Sequence, residues 1–198
     1  PNRPLLGSIL KPKQGFTLGE LRTMLAERMQ AGVDIIKEDE VLADTPACPI
    51  KARVELAEEL ADQYDWPGVY LSALHQSCDA QQLQELPTGV HLNVWAGFGE
   101  LATLRRNYNF PIYFQRSGFQ VWARGPFALS DEVFYQLVHL CGADMAQIGM
   151  MQSYLDEPVE VLKARIHALG NTMPAFSCGL EPRHVRPLVE TFGNDIML

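Results

Sequence analysis

A cluster of charged residues directly follows one strand-like segment of the chain. The mainly apolar segment at 33–36 runs into Lys37, Glu38, Asp39 and Glu40. Successive side chains of a β-strand point to opposite faces, so Lys37 and Asp39 share a face, and Glu40 follows where the backbone turns. Charge at the end of a buried strand is costly unless it is paired, and Mg²⁺ prefers oxygen ligands. The stretch therefore predicts a magnesium site.

Other polar residues occur where further strand-like segments end. They are Lys11, Lys13, His75, Trp95, Gln115, Arg116, Gln147, Ser177 and Gly179. An isolated residue of this kind is usually a solvated loop residue. In a parallel barrel, however, the carboxyl ends of all strands meet at one face and form the active site. The set therefore predicts a metal held by carboxylates beside an anionic substrate, which lysine, arginine and backbone amides would bind.

Strands and helices alternate along the chain, as their hydrophobic patterns indicate. Strands are predicted at 5–10, 33–40, 68–74, 89–95, 110–116, 143–149 and 173–177, with the start of an eighth at 195–198. Helices are predicted at 18–30, 49–64, 79–86, 99–108, 130–141, 159–169 and 181–192. This repeat predicts one α/β domain over 1–198, a (β/α)₈ TIM barrel truncated at the eighth strand. The alternative is an open doubly wound sheet, but no GxGxxG turn follows the first strand.

Composition limits the possible partners and compartment. The net charge of −8 argues against nucleic acid or an anionic membrane as a partner. The sequence contains no run of about 18 apolar residues, so no membrane span is predicted. The four cysteines are scattered singly, which is typical of reduced thiols, so a cytoplasmic protein is expected. The chain begins at Pro1 without a signal peptide or Met, so we expect a piece of a longer protein.

Two motifs carry a family resemblance. The residues at 7–15, Gly-Ser-Ile-Leu-Lys-Pro-Lys-Gln-Gly, and those at 32–40, Gly-Val-Asp-Ile-Ile-Lys-Glu-Asp-Glu, resemble the ribulose bisphosphate carboxylase (RuBisCO) large-chain superfamily. Arg116 and the segments at 142–144, 176–179 and 192–195 support the resemblance. It covers the chain as the barrel domain of that family. It also implies an amino-terminal α+β domain before Pro1 and a glycine-rich phosphate loop after Leu198.

The resemblance implies a role for each matched residue. Lys37 would react with carbon dioxide to form a carbamate, which would hold Mg²⁺ together with Asp39 and Glu40. Glu38 would point away from the metal. Lys11, partly buried beside Lys13, would move a proton next to the substrate carbonyl. The substrate's anionic end would contact Arg116, Gln147, Ser177 and the Gly179 amide. The family also implies a homodimer with a shared active site.

Several residues depart from the pattern of true carboxylases. Gln115 replaces a histidine, and Met145 and Gln147 replace two more. The loop at 149–158 lacks the lysine that would cover the nascent carboxylate, and Cys178 replaces a glycine. These departures indicate a RuBisCO-like protein of the form IV type.

We therefore expect a Mg²⁺-dependent enzyme that forms an enediolate from a phosphorylated keto-sugar or sugar-acid derivative. The outcome would be enolisation, isomerisation or carbon–carbon cleavage, as in a lyase, transcarboxylase or hydrolase. The alternatives are a non-catalytic sugar-phosphate-binding or regulatory homologue and a genuine carboxylase. The loop at 116–126, with Phe119, Trp122 and Arg124 as possible contacts, resembles that of RuBisCO-like proteins of branched-sugar-acid catabolism.

Overall fold

Seven parallel strands within the described part of the chain form the centre of the molecule. The structure is a computed structural model, and it describes residues 2–42, 44–74 and 88–198. The strands are β1 (Gly7–Ile9), β2 (Ile35–Lys37), β3 (Val69–Ala73), β4 (Gly89–Asn93), β5 (Ile112–Gln115), β6 (Met145–Gly149) and β7 (Met173–Phe176). They pair in chain order, each parallel to the next. The predicted strands are confirmed in order and type, although each is shorter than its hydrophobic segment.

Helices connect the strands. They are α1 (Leu18–Gln30), α2 (Ile50–Gln63), α3 (Gly97–Asn107), α4 (Gln120–Ala123), α5 (Asp131–Leu140), α6 (Val159–Ala168) and α7 (Pro182–Phe192). The predicted helices in the described residues agree to within two residues at each end. The short α4 was not predicted, and the predicted helix at 79–86 lies outside the described residues. Within the described part of the chain, no helix is long and apolar enough to span a membrane.

Local sequence explains where α1 begins. The Thr17 hydroxyl accepts a hydrogen bond from the Glu20 amide at 3.3 Å, and the Glu20 carboxylate accepts one from the Thr17 amide at 2.7 Å. This capping box satisfies two backbone donors that the first helical turn leaves free. Gly32, with φ +73°, lies just past the end of the helix and leads the chain into β2.

Side chains alternate between the two faces of the curved sheet. One apolar cluster lies inside the curve and contains Ile35, Leu71, Tyr113, Met145 and Ala175. A larger cluster lies between the sheet and the helices, and it contains the next residue of β2, Ile36. Lys37, two residues after Ile35, therefore shares the inner face, as the period of two predicts.

The last residues of the chain connect the two edges of the sheet. Met197 forms a parallel bridge with Ala175 of β7 and another with Leu5, which precedes β1. The Leu5 amide donates to the Ile196 carbonyl at 3.0 Å, and the Met197 amide donates to the Pro174 carbonyl at 2.9 Å. The segment predicted to begin an eighth strand thus appears as two isolated bridges between β7 and the start of β1.

Candidate active site

Lys37 is the buried centre of the candidate site. Its side chain is 2% exposed, and its ammonium lies 3.8 Å from the Glu40 carboxylate. The ammonium also donates to the Glu38 carbonyl at 2.9 Å and lies 5.6 Å from the centre of the Tyr113 ring. Burial lowers the pKa of Lys37 to about 8, although the Glu40 and Asp39 carboxylates oppose this change. A substantial fraction of the amine is therefore neutral, and thus nucleophilic, in mildly alkaline solution.

Asp39 and Glu40 supply carboxylates at the same end of β2. Asp39 is buried, accepts a hydrogen bond from the Val41 amide at 3.2 Å and contacts the Lys11 ammonium. Glu40 accepts a hydrogen bond from the Ser117 hydroxyl at 2.8 Å. The predicted pair of carboxylates is thus present, and Lys37 stands within ion-pair distance of one of them.

The donor set matches Mg²⁺ only after modification of the lysine. Among the described residues, no group of three or more His, Cys, Asp and Glu side chains is placed to hold a metal ion. Two carboxylates and an ammonium would not form such a group. Conversion of the Lys37 amine to a carbamate would replace a positive charge by a third anionic oxygen donor, which a hard cation prefers. The residues present therefore fit magnesium in the carbamylated form.

Glu38 points away from this cluster, as strand alternation predicts. Its carboxylate accepts hydrogen bonds from Arg53 Nε at 2.6 Å and from the Ala73 amide at 2.8 Å. The Tyr70 hydroxyl also donates to it, and burial together with the Glu38 charge raises the pKa of Tyr70. Arg53 is fully buried on α2. Sequence reasoning missed Arg53, although an arginine on the apolar face of a helix signals a buried ion pair.

Lys11 and Lys13 lie in the loop that follows β1. Both are exposed, and the Lys11 side chain is 52% accessible to solvent. The expected partial burial of Lys11 is therefore wrong, because β1 ends at Ile9 and the strand no longer directs the lysine inwards. Its ammonium instead pairs with the Asp39 carboxylate. Lys11 thus contacts the candidate metal site directly.

Arg116 follows β5 and is already engaged. Its side chain is 7% exposed, and its guanidinium donates to the Glu157 carboxylate at 2.9 Å. It also lies 5.0 Å from the centre of the Phe119 ring. Arg165 on α6 binds the same carboxylate at 2.6 Å. Neither Glu157 nor Arg165 was predicted, because no local pattern indicates that the two would meet Arg116.

Gln147, Ser177 and Gly179 come together on β6 and after β7. Gln147 Nε2 donates to the Ser177 hydroxyl and, at 3.2 Å, to Cys178 Sγ. A cavity of about 300 Å³ lies alongside, and Lys37, Tyr113, Ser177 and Cys178 contribute to its wall. Gly179, with φ +87°, lies under the Tyr154 ring. Of the predicted anion-binding residues on this side, Ser177 therefore lines the same cavity as Lys37, and Gln147 contacts that cavity through its hydrogen bond to Ser177.

The loop after β5 holds the residues predicted to contact the substrate, and some of them are buried whereas others are exposed. Phe119 is buried and packs against Phe134 with ring centres 5.4 Å apart. Trp122 is partly exposed and Arg124 is exposed. Gln115 Nε2 donates to the Ser117 hydroxyl at 3.2 Å, and so links β5 to the Glu40 carboxylate through Ser117. His75 lies outside the described residues.

Three comparisons with known proteins find similarity to RuBisCO and RuBisCO-like proteins. The family model of the ribulose bisphosphate carboxylase large chain, catalytic domain, matches residues 1–66. The 3-oxo-isoapionate-4-phosphate decarboxylase of Rhizobium rhizogenes strain K84 is 29% identical over an alignment of 172 positions that covers 80% of this chain and 41% of that protein. The 2,3-diketo-5-methylthiopentyl-1-phosphate enolase of Bacillus cytotoxicus is 24% identical over an alignment of 219 positions that covers 100% of this chain and 53% of that protein.

A solved structure agrees over the full length of the chain. The crystal structure of a rubisco-like protein from Alicyclobacillus acidocaldarius superimposes with a TM-score of 0.87 and 28% identity, covering 100% of this chain and 55% of that one. The chain is similar to members of the RuBisCO large-chain superfamily in both sequence and fold. It spans about half the length of the curated relatives that it matches.

The superfamily match includes the candidate metal site. Lys11, Lys13, Lys37, Asp39 and Glu40 all fall within the region that the family model matches. Gln147 on β6 and Ser177 after β7 lie outside that region but within the structural superposition. The similarity to the family model is therefore confined to the part of the chain that holds the proposed metal ligands and lysines.

Proposed function

We propose that this chain is the barrel domain of a RuBisCO-like enzyme that forms an enediolate from a phosphorylated keto-sugar or sugar-acid derivative. The observation that carries the proposal is the buried Lys37 with its lowered pKa, next to Asp39, Glu40 and Lys11. A non-catalytic homologue would have no need to keep a lysine in such a costly environment. The amino-terminal domain, the homodimer with a shared active site and the cytoplasmic location belong to the same proposal.

Magnesium and carbon dioxide are the proposed cofactors. Lys37, as a carbamate, would hold Mg²⁺ together with Asp39 and Glu40. The bound ion would supply a Lewis acid that stabilises negative charge on the substrate's carbonyl and hydroxyl oxygens. Glu40 is held by Ser117, and Asp39 is held by the Val41 amide, so both carboxylates are oriented by the protein. Oriented ligands lower the cost of assembling the site.

Lys11 is the proposed proton carrier. Its ammonium reaches the Asp39 carboxylate from the solvent side, so it lies at the mouth of the site and can approach a substrate bound there. As an ammonium, the lysine can leave the carboxylate and donate a proton to the substrate oxygen; the neutral amine that this leaves can then take a carbon-bound proton. Lys13 lies two residues away and contributes a second positive charge that attracts an anionic substrate.

The anionic end of the substrate is assigned to the far side of the mouth. Ser177 lines the cavity, Gln147 donates to its hydroxyl, Gly179 follows two residues later, and Arg116 is paired with Glu157. A phosphoryl group prefers hydroxyl, amide and guanidinium donors. The Phe119 ring lies against the Arg116 guanidinium. Arg124 is an exposed cation of the loop after β5 and could contact a larger substrate.

The two named relatives indicate the range of outcomes. One is a decarboxylase of a phosphorylated branched-sugar acid, and the other is an enolase of a phosphorylated diketone. Both substrates would present a carbonyl carbon next to an acidic carbon–hydrogen or carbon–carboxylate bond. We propose the same reaction class for the whole protein. Carboxylation is disfavoured because the loop at 149–158 contains no lysine.

Solvent deuterium exchange tests the proposal. The full-length protein would be incubated in D₂O with Mg²⁺, bicarbonate and a panel of phosphorylated keto-sugars and sugar acids, and carbon-bound deuterium measured by NMR. We expect uptake or product with at least one substrate, lost in Lys37→Met and retained in the exposed matched control Lys51→Met. Equal activity of both variants, or no exchange with any substrate, would refute the enzymatic assignment.

A separate measurement tests the carbamate. With ¹³C-labelled bicarbonate at pH 8 we expect a carbamate carbon signal that strengthens with Mg²⁺, because the metal binds the anionic form. The signal should be absent in Lys37→Met and present in Lys51→Met. A signal that both variants keep would place the carbamate elsewhere.

A further inference from the structure

The carboxylate of Glu157 stands between two arginines. It accepts a hydrogen bond from Arg116 Nη2 at 2.9 Å and forms an ion pair with Arg165 Nη1 at 2.6 Å. The Arg116 and Arg165 side chains are 7% and 5% exposed, whereas that of Glu157 is 18% exposed. The carboxylate therefore lies on the solvent side of two buried guanidinium groups. Phe119 lies beneath both, with its ring centre 5.0 Å from Arg116 and 5.9 Å from Arg165.

Gly149 makes room for this arrangement. A Cβ atom at Gly149 would lie 1.7 Å from Glu157 Oε2 and 2.9 Å from Arg116 Nη2, so any side chain would displace the ion pair. The φ of +116° also favours glycine. The backbone at the end of β6 is thus shaped to let a carboxylate approach Arg116 closely.

The two arginines differ in what they would lose if Glu157 moved. Arg165 keeps a second acidic partner, because Asp131 binds its guanidinium at 2.6 Å. Arg116 forms an ion pair with one acidic side chain among residues 2–42, 44–74 and 88–198, that of Glu157. Glu157 can therefore release Arg116 while it stays paired with Arg165, and only Arg116 would then need a new anion.

We propose that Glu157 is a built-in competitor for the anion-binding site at Arg116. An incoming phosphoryl group displaces the carboxylate from Arg116, and Glu157 remains on Arg165. Glu157 thereby neutralises a buried guanidinium when substrate is absent and sets how tightly the anionic end of the substrate binds. The proposal rests on the proposed function, because it takes Arg116 as a contact for the substrate's anion.

Inorganic phosphate titrated into the full-length protein by calorimetry tests the proposal. We expect Glu157→Gln to bind phosphate about tenfold more tightly, because phosphate no longer has to break a charge-assisted hydrogen bond. Glu157→Asp keeps the charge but shortens the reach, so it should give a smaller gain in the same direction. The matched control is Glu160→Gln, an 84% exposed side chain on α6, which should leave the dissociation constant unchanged.

The Arg116→Gln background separates the possible failures. If the proposal holds, Arg116→Gln weakens phosphate binding and abolishes the gain from Glu157→Gln. If Arg116→Gln weakens binding but neither Glu157 variant strengthens it, the competitor is refuted and the proposed anion site survives. If Arg116→Gln has no effect, the anion site itself is refuted and the competitor with it. If Glu157→Gln does not fold, phosphate binding by Glu157→Asp is measured with and without Arg116→Gln, and the same outcomes support or refute the proposal.

Discussion

Replacing Arg53 by methionine would remove the counter-charge of a carboxylate that is completely buried. Both side chains of the Arg53–Glu38 pair are 0% exposed. Methionine has a similar length and no charge, so the substitution leaves the buried Glu38 side chain without its cationic partner and creates no large cavity. The consequence for the free energy of unfolding follows from the hydrogen bonds that remain.

The cost should be about 4 kcal/mol. Breaking a buried ion pair by removing one partner typically costs about 3–5 kcal/mol. The Tyr70 hydroxyl and the Ala73 amide still donate to Glu38, which favours the lower part of that range. The loss of the hydrogen bond from Arg53 to the Cys48 carbonyl adds about 1 kcal/mol.

Urea denaturation followed by circular dichroism measures this cost. The double variant Arg53→Met/Glu38→Gln should recover most of the loss, because the remaining amide is neutral. Its oxygen can accept from the Ala73 amide, and its nitrogen can donate to the Tyr70 hydroxyl oxygen. Arg22→Met, at an exposed pair with Glu59, is the matched control and should change stability by less than about 1 kcal/mol. A loss below about 1 kcal/mol in Arg53→Met, or no recovery in the double variant, would show that the pair does not hold β2 in place.

Three further predictions concern single positions. Because burial lowers the pKa of Lys37 from 10.5 to about 8, the unfolded chain binds more protons between these pH values. The free energy of unfolding should therefore rise with pH in that window by up to about 3 kcal/mol in bicarbonate-free buffer, and urea titrations of Lys37→Met should lack that component of the rise. Cys178 has φ +84°, so Cys178→Gly should stabilise the protein by about 1 kcal/mol relative to Cys178→Ala in thermal unfolding; equal stabilities would contradict the strain. Thr17→Ala removes one half of the α1 capping box and should cost about 1 kcal/mol in urea, whereas Thr23→Ala in the middle of the helix should not.

The parts of the fold that were predicted depend on local signals. The bounds of α1 follow from Thr17, Glu20 and Gly32, which act within a few residues of the helix ends. The opposite directions of Lys37 and Glu38 follow from the period of a strand, which tertiary contacts do not alter. The candidate metal ligands could be identified for this reason, although their hydrogen-bond partners could not.

The parts that were not predicted depend on distant residues. Glu157 reaches Arg116 only because the loop after β6 folds back over Gly149, and no pattern within that loop specifies the direction. The exposure of Lys11 depends on where β1 ends, which is set by its pairing with β2 rather than by its own apolar residues. The four-residue helix α4 lies in a loop that also contains Gly118, Gly125 and Pro126. These residues are typical of loops, so the sequence of this segment did not indicate a helix.

The bridges at Met197 determine which backbone hydrogen bonds are lost when residues 196–198 are removed. Removal of 196–198 would leave the backbone donors and acceptors of Leu5, Gly7 and Pro174 without these partners. β1 and β7 would become open edges at the same time. Open edges of a sheet recruit strands from other molecules, so a proteolytic cut that removed residues 196–198 would expose a template for intermolecular assembly.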